Sequence, residues 1–270
     1  MKVKEVLEIL EQEASWIHRD VKTRDHLLVG SEDAIVHKIG VCWVATNKAI
    51  QEAIHQHIDL IITHENPFYH CSTQMYTVAM KAAEEKRKLL EQHHIHVYRC
   101  HDVWDCIRVC GVADQWAERL GFAFEPREQV SYYQAANINE MSCGELAAHT
   151  AACLYEDGEE GVYVFGNPAK KVRRVAIGTG AATCVYEMLK FQPDAVIVSD
   201  DGITNYDAAQ FALDQDLPMI VVNHSVCEMA GLKAMVPWLR EQMKQADITY
   251  LDEGYAIHYY LGNKTKIVKE

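Results

Sequence analysis

Three predicted strands in this chain each end in a histidine close to a carboxylate. Asp59-Leu-Ile-Ile-Thr63 runs into His64-Glu65; residues 95–100 run into His101, with Asp105 four positions on; Met219-Ile-Val-Val-Asn223 runs into His224, with Glu228 four positions on. A fourth run, residues 195–199, ends at Asp200-Asp201. Imidazole nitrogen and carboxylate oxygen are together the donors of a divalent transition-metal site. Spacing alone carries little: with 14 His and 39 acidic residues in the chain, chance supplies about two His-x-x-x-acid pairs. Three occur, at His55/Asp59, His101/Asp105 and His224/Glu228. The first lies at a helix end and reads as a solvated surface pair. The other two follow predicted strands, and in open α/β sheets the ligand crevice lies at the carboxyl ends of the strands. A metal site is the sharper reading; satisfied polar groups at loop tips are the bland one.

The elements that must position these residues alternate. Val3, Val6, Leu7, Leu10, Ala14 and Ile17 share one helical face. Residues 38–46 read as a strand with Ile39, Val41 and Trp43 on one side, followed by a helix over 47–57 and a buried strand over 59–63. A long helix from about Ser72 to His93 leads to the strand at 95–100, and another helix runs from about Asp105 to Gly121. Ser142 with Glu145 has capping-box spacing and opens a helix through Leu154. Strands are expected at 162–165, 172–177, 195–199 and 219–222, with a helix from about Asn205 between the last two. Strands alternating with helices predict an α/β protein around largely parallel or mixed sheet. No internal repeat or Pro/Gly/Ser linker divides the chain, so any two lobes must pack tightly.

Acidic residues exceed basic ones by 39 to 26, a formal charge of −13, and no Lys/Arg-rich run is present. Nucleic acid is therefore not expected as the primary partner. No stretch approaches the ~18 to 20 apolar residues that cross a bilayer, and the charged, amphipathic start is unlike a signal peptide. The nine cysteines, odd in number and without a C-x-x-C pair, read as reduced thiols of a cytoplasmic protein.

Several further groups carry two readings. Gly178-Thr-Gly180 offers backbone N–H groups to an anion, or is a tight strand-to-helix turn. Asp200 and Asp201 suit a metal, a polar substrate or a helix cap. His93, His94 and His96 resemble a metal tract but are expected to face solvent or core. Cys106 and Cys110, four apart on the expected helix, read as core thiols. Trp104 walls the pocket or anchors its helix.

The order Asp59-Leu-Ile-Ile-Thr-His64, His101-x-x-x-Asp105 and His224-x-x-x-Glu228 resembles the NIF3-like (NGG1-interacting factor 3-like, DUF34) dinuclear-metal proteins. So do Leu28-Val-Gly30, the run Gly111-Val-Ala-Asp-Gln-Trp-Ala-Glu-Arg-Leu-Gly121, and Val175-Ala-Ile-Gly-Thr-Gly-Ala-Ala182; the likeness spans about residues 1–260. The resemblance implies an α/β fold of two lobes, one about 1–125 plus 222–270 and the other about 126–221. It also implies a hexameric ring and a site for two divalent ions (Zn, Fe, Mn or Co) facing the ring interior. Carried across by position, the ligands are His64, Glu65, Asp105, His224 and Glu228. The family's usual pattern has two adjacent histidines where His64-Glu65 stands here. Glutamate makes that subsite richer in oxygen and favours Mn, Fe or Mg, and His70 is a nearby substitute. Two function classes follow. One is a metal-dependent hydrolase acting on a small molecule, with His101 and Glu228 in catalytic roles and His101 a ligand, an outer donor or a proton carrier. The other is a non-catalytic metal-binding or scaffold protein. Family members carry a GTP cyclohydrolase label, but no Walker A loop or guanine-reading pattern accompanies it here.

Overall fold

Runs of Val, Ile and Leu between helices become the central strands of two five-stranded sheets. The computed structural model describes residues 1–12, 14, 23–69, 77–203 and 206–260. The first sheet has the order β1-β4-β3-β2-β10, from β1 (His26–Val29), β2 (Lys38–Val44), β3 (Leu60–Glu65), β4 (His96–Arg99) and β10 (Asp247–Tyr250). Its last four strands are parallel and β1 pairs antiparallel at the edge. The second sheet has the order β5-β7-β8-β9-β6, from β5 (Tyr133–Ser142), β6 (Tyr163–Phe165), β7 (Lys171–Gly178), β8 (Ala195–Ser199) and β9 (Met219–Val222). Here three parallel strands lie between antiparallel edges.

Parallel pairing needs helical crossovers. α2 (Asn47–Gln56) joins β2 to β3; Thr46 caps its start by accepting the Ala49 N–H, and His57 ends it in the left-handed conformation. α3 (Thr77–Gln92) joins β3 to β4. The expected start of that helix near Ser72, His70, Ile17 and Asn205 all lie outside the described residues. α1 (Val3–Gln12) buries Val3, Val6, Leu7 and Leu10 against the first sheet, as its periodicity predicts. α6 (Cys143–Leu154) opens with the expected capping box, Ser142 and Glu145 each bonding the other's backbone N–H.

The expected helix over 105–121 is two helices, α4 (Asp102–Cys106) and α5 (Val112–Leu120). Gly111 separates them: a Cβ there would lie 2.2 Å from the Ile107 carbonyl oxygen, so the chain turns where only glycine fits. Cys110 consequently sits in the turn rather than on a helix, while Cys106 is buried. Trp104 anchors: it is fully buried, donates to the Gly231 carbonyl at 2.9 Å and meets Trp238 edge-on.

α7 (Val185–Met188) follows β7, α8 (Asp207–Asp214) joins β8 to β9, and α9 (His224–Gln242) ties the sheets together. Val226 and Cys227 pack into the second sheet's core, and Leu232, Met235 and Leu239 into the first's. It approaches α5 so closely that a Cβ on Gly231 would lie 2.6 Å from the Val112 Cα. No helix among the described residues is long and apolar enough to cross a membrane.

Candidate metal centre

The carboxyl ends of β3 and β4 face those of β8 and β9, and the three His/acid pairs project into the space between. His64 and Glu65 close β3. His101 and Asp105 flank the first turn of α4, just after β4, and His224 and Glu228 stand one turn apart at the start of α9, just after β9. The geometry brings all six together. Ligand atoms of His64, His101 and Asp105 lie within 4.8 Å of one another, as do those of His64, Glu65 and Glu228.

At the centre is His64, with no exposed surface. Its Nδ1 lies 3.1 Å from the Cys100 carbonyl oxygen; a proton donated there leaves Nε2 as the free lone pair. That Nε2 is 3.3 Å from Asp105 Oδ1 and 3.4 Å from Glu228 Oε2. Across the site, His224 Nε2 is 3.0 Å from the other oxygen of Glu228 and 3.8 Å from Glu65 Oε1. His64 Nε2, Asp105 Oδ1 and His224 Nε2 are buried yet lack hydrogen-bond geometry, a costly state for polar atoms unless something else satisfies them. Donors sharing one ion at about 2.1 Å stand about 3.0–3.5 Å apart. These separations suit a coordination sphere, and the donor set fits divalent metal.

The surroundings also attract cations. Burial alone would lower the basicity of His101, but Asp105, Asp102 and Glu65 push it up to about 12. Burial opposes the charging of His224 too, and Glu228 with Asp201 takes it to about 10. For Asp105, burial disfavours the anion, yet His101 and His64 hold its carboxyl well below the usual range. Burial raises Glu65 as well; His101, His64 and Arg99 more than offset it, to about 2. Carboxylates that bind a proton on buried imidazole this firmly offer the same attraction to a metal ion.

Outer partners orient the donors. Asp201 Oδ2 sits 2.8 Å from His224 Nδ1, directing Nε2 inward, and Asp200 accepts the His224 N–H at 2.9 Å. Asp200 therefore supports the start of α9, whose N-cap is Asn223, and Asp201 is the carboxylate behind an imidazole. His101 Nδ1 lies 3.0 Å from Asp105 and 3.1 Å from Asp102, its ring stacked on His64 at 4.3 Å.

The turn at Gly178-Thr-Gly180 is a close approach rather than an anion cradle. Gly180 N–H donates to Cys227 Sγ, φ is +64°, and a Cβ would lie 2.2 Å from Glu228 Oε1 and 3.3 Å from His224 Nε2. A side chain at 180 would fill the place between the donors. The histidine tract does not gather: His93 and His94 are exposed and His96 is half-buried on β4. Asp59 accepts the His37 and Lys38 backbone N–H groups, which fixes its carboxylate away from any pairing with His55.

Two contributors escaped the sequence reading. Trp43 donates Nε1–H to Glu228 Oε2 at 2.8 Å, and Arg99 donates to Glu65 Oε2 at 2.8 Å. Trp43 sits on the alternating face of its strand that reads as core, and Arg99 falls within a run that reads as strand; one-sided alternation cannot show that a strand's last residues reach the crevice. Both line, with Arg24, Tyr132, Gly180 and Asp201, a cavity of about 570 Å³ that opens on the donors.

Such a crevice between two α/β sheets, carrying buried imidazole and carboxylate donors, defines a candidate divalent-metal protein. The family model of Duf34/NIF3 (NGG1p interacting factor 3) matches residues 1–253, and the chain belongs to that family. It is 28% identical over 209 residues to the "GTP cyclohydrolase 1 type 2 homolog" of Neisseria meningitidis, spanning 74% of this chain and 78% of the relative. Its fold matches that of a Bacillus cereus protein related to NIF3 with a TM-score of 0.79, at 16% identity and over 97% of this chain and 99% of the other. The Staphylococcus aureus protein SA1388 matches with a TM-score of 0.78, also at 16% identity, with the same coverage. The fold is accordingly the NIF3-type α/β fold expected from the sequence.

Proposed function

We propose that this protein is a metal-dependent hydrolase whose site takes two divalent ions. One observation carries the reading: Glu228 presents Oε2 to His64 at 3.4 Å and Oε1 to His224 at 3.0 Å, so its two oxygens would serve both subsites. His64, Asp105 and Glu228 would hold one ion; Glu65, His224 and Glu228 the other. Two ions so held would supply Lewis acidity and would bring a coordinated water's pKa down to about 7. His101 has two carboxylates at Nδ1 and borders the cavity, so its Nε2 would be the atom that passes a proton to or from a substrate. Arg24, Tyr132 and Trp43 line the room a small-molecule substrate would occupy. That room favours hydrolysis over a closed, purely structural or scaffold site. The name of the Neisseria relative makes opening of a nucleotide ring one reaction to include among phosphoester, amide and ring substrates. Assembly into a ring of six chains and a cytoplasmic location belong to the same proposal.

The test is metal content per chain by elemental analysis, on protein purified without chelator, beside His224→Ala. About two equivalents of Mn, Fe, Co or Zn are expected, falling to about one in the variant, with hydrolysis of a panel substrate lost. Metal-free protein whose melting temperature ignores added Mn2+ and Zn2+ overturns the reading.

A further inference from the structure

The two oxygens of Glu65 face different partners. Arg99 pairs across from Thr63 in the parallel β3–β4 register, and alternation puts Thr63 and Glu65 on the same face. The Arg99 side chain, 8% exposed, therefore reaches along that face. Its Nε donates to the His64 carbonyl at 3.0 Å and its Nη2 to Glu65 Oε2 at 2.8 Å. The Asn66 N–H adds a second donor to the same oxygen at 3.3 Å. Glu65 Oε1 faces inward instead, 3.6 Å from His101 Nε2 and 3.8 Å from His224 Nε2. A carboxylate with one oxygen committed to a guanidinium has the other left for an ion and is restrained from closing on it with both.

We propose that Arg99 is a positioning residue that reserves Glu65 as a single-oxygen ligand of the subsite shared with His224 and Glu228, and thereby sets that subsite's affinity. The inference rests on the two-ion reading above. The planar fork of arginine explains the residue type: it grips the backbone oxygen of one strand-end residue and the carboxylate of the next at once, which lysine's single ammonium centre does less well.

The test is a Mn2+ titration, followed by electron paramagnetic resonance, of chelator-stripped full-length protein. It is run on wild type, Arg99→Gln, Arg99→Lys, Glu65→Gln and the Arg99→Gln/Glu65→Gln double variant. In Arg99→Gln the second equivalent is expected to weaken about 10- to 100-fold, the usual effect of removing a partner behind a ligand. The first should hold within about twofold, and Arg99→Lys should fall between. The double variant should bind no more weakly than Glu65→Gln alone, because the effect passes through Glu65. The visible absorption of Co2+ at the second subsite should also change in Arg99→Gln, which a loss of fold stability alone would not produce. If Arg99→Gln does not fold, Arg99→Lys carries the same comparison. Unchanged affinity in the arginine variants, or losses that add in the double variant, overturn this inference and leave the two-ion reading standing. Two equivalents unaffected by Glu65→Gln remove Glu65 as a ligand and the inference with it. A wild type that takes fewer than two equivalents sinks both.

Discussion

The two halves of the centre are built on different terms. His64 and Asp105 come from one sheet and the helix that follows it, and their side chains are at most 3% exposed. His64 is aimed by a backbone carbonyl whose place follows from the β3–β4 register. Glu65 and His224 come from opposite sheets, are 19% and 11% exposed, and are aimed by the charged side chains Arg99 and Asp201. A half set by strand register is fixed once the sheet forms. A half set by side-chain pairs across two sheets can change its affinity without a change of fold, so variation in metal number should concentrate there.

The strongest way to break this contrast is His64→Ala. Its Nε2 faces both Asp105 and Glu228, so the variant should lose essentially all retained metal, where His224→Ala keeps about one equivalent. Elemental analysis of the two variants side by side decides it; equal losses would mean the halves are equivalent. A smaller effect is expected from Asp201→Asn. The amide is uncharged behind His224 Nδ1, and the second Mn2+ equivalent should weaken about 10- to 100-fold while the first holds. If both equivalents weaken together in the titration, the outer half is not separately tunable.

Much of the inner half was legible in the sequence. The His-containing strand ends and the capping box at Ser142 are local signals, and the structure places them as expected. What was not legible depends on contacts between distant elements. The helix after His224 shows no apolar stripe because His224 to Met229 are buried on all sides between two sheets, which erases the period by which a surface helix is recognised. β1, β5 and β10 are sheet-edge strands with mixed exposure, so their alternation is weak. Trp43 read as an ordinary core residue because alternation reports which side a residue faces and not what it meets; its partner Glu228 is 185 positions away.

The smallest effect tests how far the support of the outer half extends. Glu159, 3% exposed, accepts the Asn223 N–H with its two oxygens at 2.9 and 3.1 Å. Asn223 in turn caps α9 and donates to Asp200, so Glu159 props the turn that presents His224. Burial pushes the Glu159 carboxyl up from 4.5 to about 7, opposed by the Asn223 N–H and Tyr259 and aided by the charge of Asp200. Between those two values the folded chain keeps a proton that the unfolded chain has released. The stability contributed by Glu159 is thus complete below about 4.5 and is lost as pH rises through about 7. Glu159→Gln keeps an acceptor and removes the titration. Relative to the variant, the wild type should therefore lose a few degrees of melting temperature between about pH 5 and 8, each kcal/mol being worth about 2–4 °C at this size. Parallel melting curves across that range would show instead that Glu159 is ionised in the fold throughout, and that the turn bearing His224 is held by Asp200 and the helix cap without it.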